Sequence, residues 1–97
     1  MNKINSLVIY DGIKTEVLNI SDDETIKFQA IGSGTYSIKG KIANDCAWDD
    51  ICAIKASDFE TSLNINDNAV WIADVTGYSQ ITVEASGFDK IYCVTVG

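Results

Sequence analysis

Proline, histidine and arginine are absent from this 97-residue chain, and methionine occurs once. Without histidine the commonest general base and metal ligand near neutral pH is missing. Without arginine there is no planar fork to clamp a phosphate through two hydrogen bonds. A nucleophile needs a base to take its proton, and Cys46, Cys52 and Cys93 have no imidazole to serve them. With no proline there is no proline-rich linker, and no repeat or low-complexity tract divides the chain. Ninety-seven residues therefore predict one domain, 1–97, around a single two-layer core. Positive charge is scarce: seven lysines face fourteen acidic residues, for a net charge of −7. That balance weighs against nucleic acid, whose counterions only clustered cations displace, and against an anionic membrane surface.

Long apolar runs are missing too. Leu7–Tyr10 is too short for a secretory leader, and no segment has the length of a membrane span. The expectation is a soluble protein made in the cytoplasm or a mature form without its leader, and the three cysteines fit the first better. An odd number of cysteines argues against a closed disulfide framework and for free thiols.

What the chain has is isoleucine, fourteen residues of it, β-branched and suited to a pleated surface. Asp11-Gly12 between Leu7–Tyr10 and Ile13–Ile20 predicts an opening hairpin. A polar break at Ser21-Asp22-Asp23 precedes a strand over Glu24–Ile31, with Ile26, Phe28 and Ala30 on one face and Thr25, Lys27 and Gln29 on the other. Gly32-Ser33-Gly34 then predicts a turn into Thr35–Ile42. There Tyr36, Ile38 and Ile42 point inward, and Gly40 on the same face predicts a bulge or a close neighbour. In the middle third, short strands are expected over Ile51–Ala56 and Thr61–Ile65, with a helical turn at Ser57–Ser62 from its capping-box spacing. From Ala69 to Gly97 the pattern predicts three strands separated by turns at Thr76-Gly77 and Gly87-Phe88-Asp89. Ile81, Val83 and Ala85 alternate there with Gln80, Thr82 and Glu84. The fold expected is an all-β antiparallel sandwich of seven or eight strands, immunoglobulin-like or jelly-roll-like, with Ile26, Phe28, Ile38, Trp71, Ile81 and Val83 in its core.

Candidate sites are few. Ala69–Val75 and Lys90–Gly97 are apolar on both faces, so each is either covered twice or leaves one face as an interface. Val70, Ile72, Tyr92 and Val94 are the candidate interface residues. Trp48, Tyr78 and Phe88, in a loop or at turns, are candidate exposed aromatics that could stack on sugar rings, the plainer reading being that they seal the core. Asp22-Asp23-Glu24, Asp45/Asp49/Asp50 and Asn64/Asn66/Asp67/Asn68 have oxygen donors suited to calcium, but none matches a calcium loop. The Cys46–Cys52 spacing is too wide for a zinc pair. Asp74 is expected to end a strand or open a turn. No catalytic, cofactor or metal site is assigned.

The run Thr35–Lys41, then Trp48, then Val70–Ile81 with its Asp74–Tyr78 corner and a valine-rich end, resembles the small immunoglobulin-like β-sandwich proteins of tailed-bacteriophage virions. The resemblance covers residues 24–97. It implies a non-enzymatic structural role as a capsid decoration subunit or a head or tail accessory protein, with other virion proteins, above all the capsid, as partners. It also leaves room for a homo-oligomer within the particle. The chain departs from the group in its acidic charge. The alternative is a carbohydrate-binding module.

Overall fold

Two 17-residue strands, β3 (Thr25–Lys41) and β8 (Gln80–Val96), run antiparallel along their whole lengths and form the spine of the protein. The computed structural model describes residues 4–20 and 25–96; the expected break at Ser21–Asp23 lies outside them. At roughly 3.3 Å per residue a straight strand of this length would span about 55 Å. The molecule measures 30 × 30 × 22 Å. Both strands must therefore bend, and they bend together where Gly32-Ser33-Gly34 faces Gly87-Phe88.

The register shows how. Ile31 pairs with Lys90, Gly32 with Phe88 and Thr35 with Ser86. One extra residue is taken up first on β8, at Asp89, and then one on β3. The two bulges cancel, so both sides of the corner keep the same register while the ladder turns sharply. This corrects the sequence reading at both glycine clusters: neither is a turn between separate strands. Gly34 admits the close approach, since a Cβ there would lie 2.1 Å from the Ser86 carbonyl oxygen and 2.7 Å from the Phe88 nitrogen. Between the bulges Phe88 faces inward and is buried, edge-on to Tyr36 with ring centroids 5.6 Å apart.

The remaining strands pair with the two arms of this bent ribbon, giving one eight-stranded antiparallel sheet. On one arm β1 (Ile4–Tyr10) pairs with the end of β8, and β7 (Trp71–Asp74) with the start of β3. β5 (Ala53–Lys55) and β6 (Thr61–Ser62) follow outward. On the other arm β2 (Leu18–Asn19) pairs with the start of β8, and β4 (Asp49–Ile51) with the end of β3. The expected strand over Ile51–Ala56 is thus split at Cys52, where the chain passes from one arm to the other. The sheet folds over its own inner face, and the side chains it encloses form one buried cluster. Ile26, Phe28, Ile38, Trp71, Ile81 and Val83 all belong to it. Full burial of such side chains is worth about 1.5–3 kcal/mol each.

Local departures have local causes. The Asp11 carboxylate accepts from the amides of Ile13 (3.0 Å) and Lys14 (2.7 Å), which makes a four-residue loop, 11–14, in place of a two-residue hairpin turn. The return chain bridges only at Thr15, and Leu18–Asn19 joins β8 instead of β1. Ile42 is exposed because β3 ends at Lys41. Gly40 is buried as expected, for a Cβ would meet Tyr78 Cδ1 at 2.7 Å and Ile51 Cδ1 at 2.8 Å. No helix forms at Ser57–Ser62. Phe59 closes the β5–β6 hairpin with a left-handed φ of 62°, its amide donating to the Lys55 carbonyl at 2.9 Å.

Three substitutions separate these backbone effects in chemical denaturation. Gly77, also left-handed, has open space where a Cβ would go, so Gly77→Ala should cost only the strain, about 1–2 kcal/mol. Gly34→Ala must also displace backbone and should cost roughly 3–4 kcal/mol; equal losses at the two sites would contradict the corner geometry. Phe59→Gly relieves strain at an exposed position and should gain about 1 kcal/mol, a rise of about 4–8 °C in Tm for a domain of this size.

Candidate functional site

The bend gives the sheet two outer faces of different character. On the six-stranded arm, alternation turns Val94 and Tyr92 of β8, Ile72 of β7 and Val70 just before it away from the core. Register then sets them side by side. Val94 and Ile72 flank Lys27, Tyr92 lies opposite Gln29, and Ile54 of β5 lies opposite Ile72. Each of the four predicted residues is half-buried, and Ile54 is 42% exposed. An open groove of about 280 Å³ runs between Ser6, Lys27, Val70, Tyr92 and Val94. The structure thus brings all four candidate interface residues onto one face. Ile54 escaped the sequence reading because its strand is three residues long and its neighbour is distant in sequence.

On the four-stranded arm the outer face is polar. Lys39 of β3 pairs with Thr82 of β8 on one side and Asp50 of β4 on the other, and its ammonium is ion-paired to the Asp50 carboxylate. That hydrogen bond, with Asp50 and Glu84 nearby, holds the lysine pKa above its ordinary value. Thr82 Oγ1 donates to the Glu16 carbonyl at 2.7 Å, drawing the segment before β2 against β8. Trp48, 37% exposed, stands beside this face with Lys41 Nζ 4.5 Å from its ring centroid. Of the three candidate exposed aromatics only Trp48 is open to solvent. Tyr78 is half-buried over Gly40, and Phe88 is core. The placement of Phe88 corrects the sequence reading: the paired bulges turn its ring inward.

No protein-family model matches the sequence, and neither does any curated protein sequence. Its fold is shared with two solved structures. YomS, an SPBc2 prophage-derived protein, superposes with a TM-score of 0.84 over 100% of this chain and 96% of its own, at 11% identity. XepA, a PBSX exported protein, superposes with a TM-score of 0.85 over 99% of this chain at 16% identity. The present chain spans 38% of XepA. At such identities the likeness is one of fold, and that fold occurs both as nearly a whole chain and as part of a larger one.

The acidic turns have structural partners. Among the described residues no group of three or more cysteine, aspartate or glutamate side chains is placed to hold a metal ion; Asp22-Asp23-Glu24 lies outside them. Cys93 is buried, its thiol pushed up to about 12 by desolvation, while Cys52 is exposed and Cys46 half-buried. Asp74 ends β7 and accepts from the Thr76 amide at 3.0 Å. Asn68 Nδ2 donates to the Ala30 and Gly32 carbonyls at 2.9 and 2.8 Å, which fastens the 66–68 turn to β3 beside the corner. Asp67 accepts from Trp71 Nε1 at 2.9 Å and from the Ala69 amide at 3.1 Å, and pairs with Lys55 Nζ at 3.3 Å. Partial burial works to raise the Asp67 pKa, but the bonds from Trp71, Ala69 and Lys55 outweigh it and hold the carboxyl below its ordinary value.

Asp67→Ala should therefore cost about 1–3 kcal/mol, because it strands the indole N–H of a buried tryptophan. A carboxyl depressed in the folded state stabilises above its unfolded pKa and loses that contribution as pH falls through the folded value. Asp11, through the Lys14 and Ile13 amides, and Asp74, through Thr76, are depressed in the same sense. Melting curves should show Tm falling on acidification below about pH 4, and falling less steeply in Asp67→Ala. Parallel pH profiles would contradict the role given to this carboxylate.

Proposed function

We propose that this chain is a non-enzymatic structural protein of a tailed-bacteriophage particle, made in the host cytoplasm, and that it attaches to the head as a decoration subunit. The phage association is carried by the fold, which spans the chain from end to end in common with prophage-derived YomS and with the PBSX exported protein XepA. Support for attachment comes from the outer face of the six-stranded arm. Val70, Ile72, Tyr92, Val94 and Ile54 set apolar side chains on one sheet surface that the rest of the chain leaves partly uncovered. Such a subunit works by multiplicity. Many copies, each burying a modest apolar patch on a repeating shell, reinforce that shell without any chemistry. The surplus of negative charge, turned to solvent, would keep coated particles apart.

Imaging of particles assembled with the protein tests the reading. Density for it is expected at symmetric positions on the head. Density confined to the tail would make it a tail accessory protein, and its absence from particles would overturn the particle role. Ile72→Glu with Val94→Glu, both on the outer face and directly opposite Lys27, should keep a cooperative melt, since opposite charges paired across strands offset part of the lost apolar contact, and abolish incorporation. Undiminished incorporation of that variant would move the attachment surface elsewhere.

A further inference from the structure

We propose that the groove between Trp48 and the segment Thr15–Val17, on the outer face of the four-stranded arm, is a binding site for an uncharged saccharide. The inference goes beyond the proposed particle role and stands on different residues. The groove is open, about 510 Å³, and is lined by Thr15, Val17, Lys39, Trp48, Thr82 and Glu84, with a contribution from Val83. That volume lies in the range of small-molecule sites.

Its lining matches one kind of ligand. Trp48 offers an indole surface, the sort of flat apolar platform on which the C–H face of a sugar ring rests. Lys41 Nζ lies 4.5 Å from the ring centroid and is not among the residues that line the groove. That contact favours this placement of the indole. Around it stand an ammonium donor on Lys39, a carboxylate acceptor on Glu84, a Thr15 hydroxyl that serves either way, and a Thr82 oxygen that is left to accept, its proton being given to the Glu16 carbonyl. A sugar presents donors and acceptors together on one edge and C–H groups on its face, which is this pattern in complement.

Other ligand classes fit less well. The Lys39 charge is already matched by Asp50 and opposed by Glu84, so a phosphate or other anion finds no surplus cation. The groove is too open and too polar for a lipid tail. Two ties hold it in shape: the Lys39–Asp50 ion pair joins β4 to β3, and the Thr82 hydrogen bond to Glu16 joins the opposite wall to β8. Preorganised groups on strands lose little entropy on binding.

Titration of the ¹⁵N-labelled protein with cellotriose, maltotriose and chitotriose at millimolar concentration tests the assignment. There are two tryptophans, and Trp71 is buried and bonded to Asp67, so its indole signal is an internal reference. At least one sugar should shift the Trp48 indole signal and the Lys39, Thr82 and Glu84 amides while leaving the Trp71 indole in place. Trp48→Ala should abolish those shifts. Glu84→Gln, on an already exposed face, should weaken binding about tenfold through loss of a charge-assisted bond, and it carries the test if Trp48→Ala disturbs its loop. No shift with any of the three sugars, shifts that survive both substitutions, or shifts centred on Tyr92 and Val94 would overturn the proposal.

Discussion

A strand of 17 residues fits inside a molecule 30 Å across only by bending, and a ladder of two such strands bends without breaking only if both yield at the same place. Gly32–Gly34 on β3 and Gly87–Asp89 on β8 meet that condition. Each strand absorbs one extra residue, and β8 backbone comes so near Gly34 that a side chain there has no room. Without the compensating bulge, one arm would have its apolar side chains turned to solvent, because a one-residue slip exchanges the two faces of a strand. Phe88 and Tyr36 then fill the inside of the corner. The core of both arms depends on this arrangement.

The proposed roles rest on the outside of the same bend. Folding the sheet over one face leaves the other face as two surfaces pointing in different directions. Their chemistry differs because their sequences do. Val70, Ile72, Tyr92 and Val94 come from strands whose outward positions are apolar, whereas Lys39, Thr82 and Glu84 come from strands whose outward positions are polar. One surface suits burial against another protein, and the other, with Trp48 at its margin, suits a hydrated ligand. In the proposed arrangement one side of the domain would hold on to a particle and the other would face solvent.

The sequence announced the alternation and hid the corner. Ile26, Phe28, Ile81 and Val83 were readable as core because a half-buried strand repeats every two residues, and all four are buried. Gly32-Ser33-Gly34 and Gly87 were readable as places where the chain changes direction. Whether a glycine cluster ends a strand or bulges within it depends on what lies across the ladder, more than fifty residues away, and local pattern carries no such information. Phe88 was misplaced for that reason. Tyr92 and Val94 could be named from sequence as alternatives to a covered face, since only the fold decides what covers them. The Trp48 groove was half legible: the aromatic stood out in its acidic loop, but Lys39, Thr82 and Glu84 read as ordinary solvent-facing residues until the register of β3 with β8 and β4 set them together.

In the proposed arrangement the apolar outer face is covered in the assembled particle while the polar face stays open. Hydroxyl-radical footprinting of the protein free and on intact particles reads both at once, because Tyr92 and Trp48 are reactive reporters on the two faces. Strong protection of Tyr92, with Ile72 and Ile54, is expected on the particle, together with unchanged oxidation of Trp48. Protection of Trp48 with Tyr92 oxidised equally in both states would contradict that arrangement.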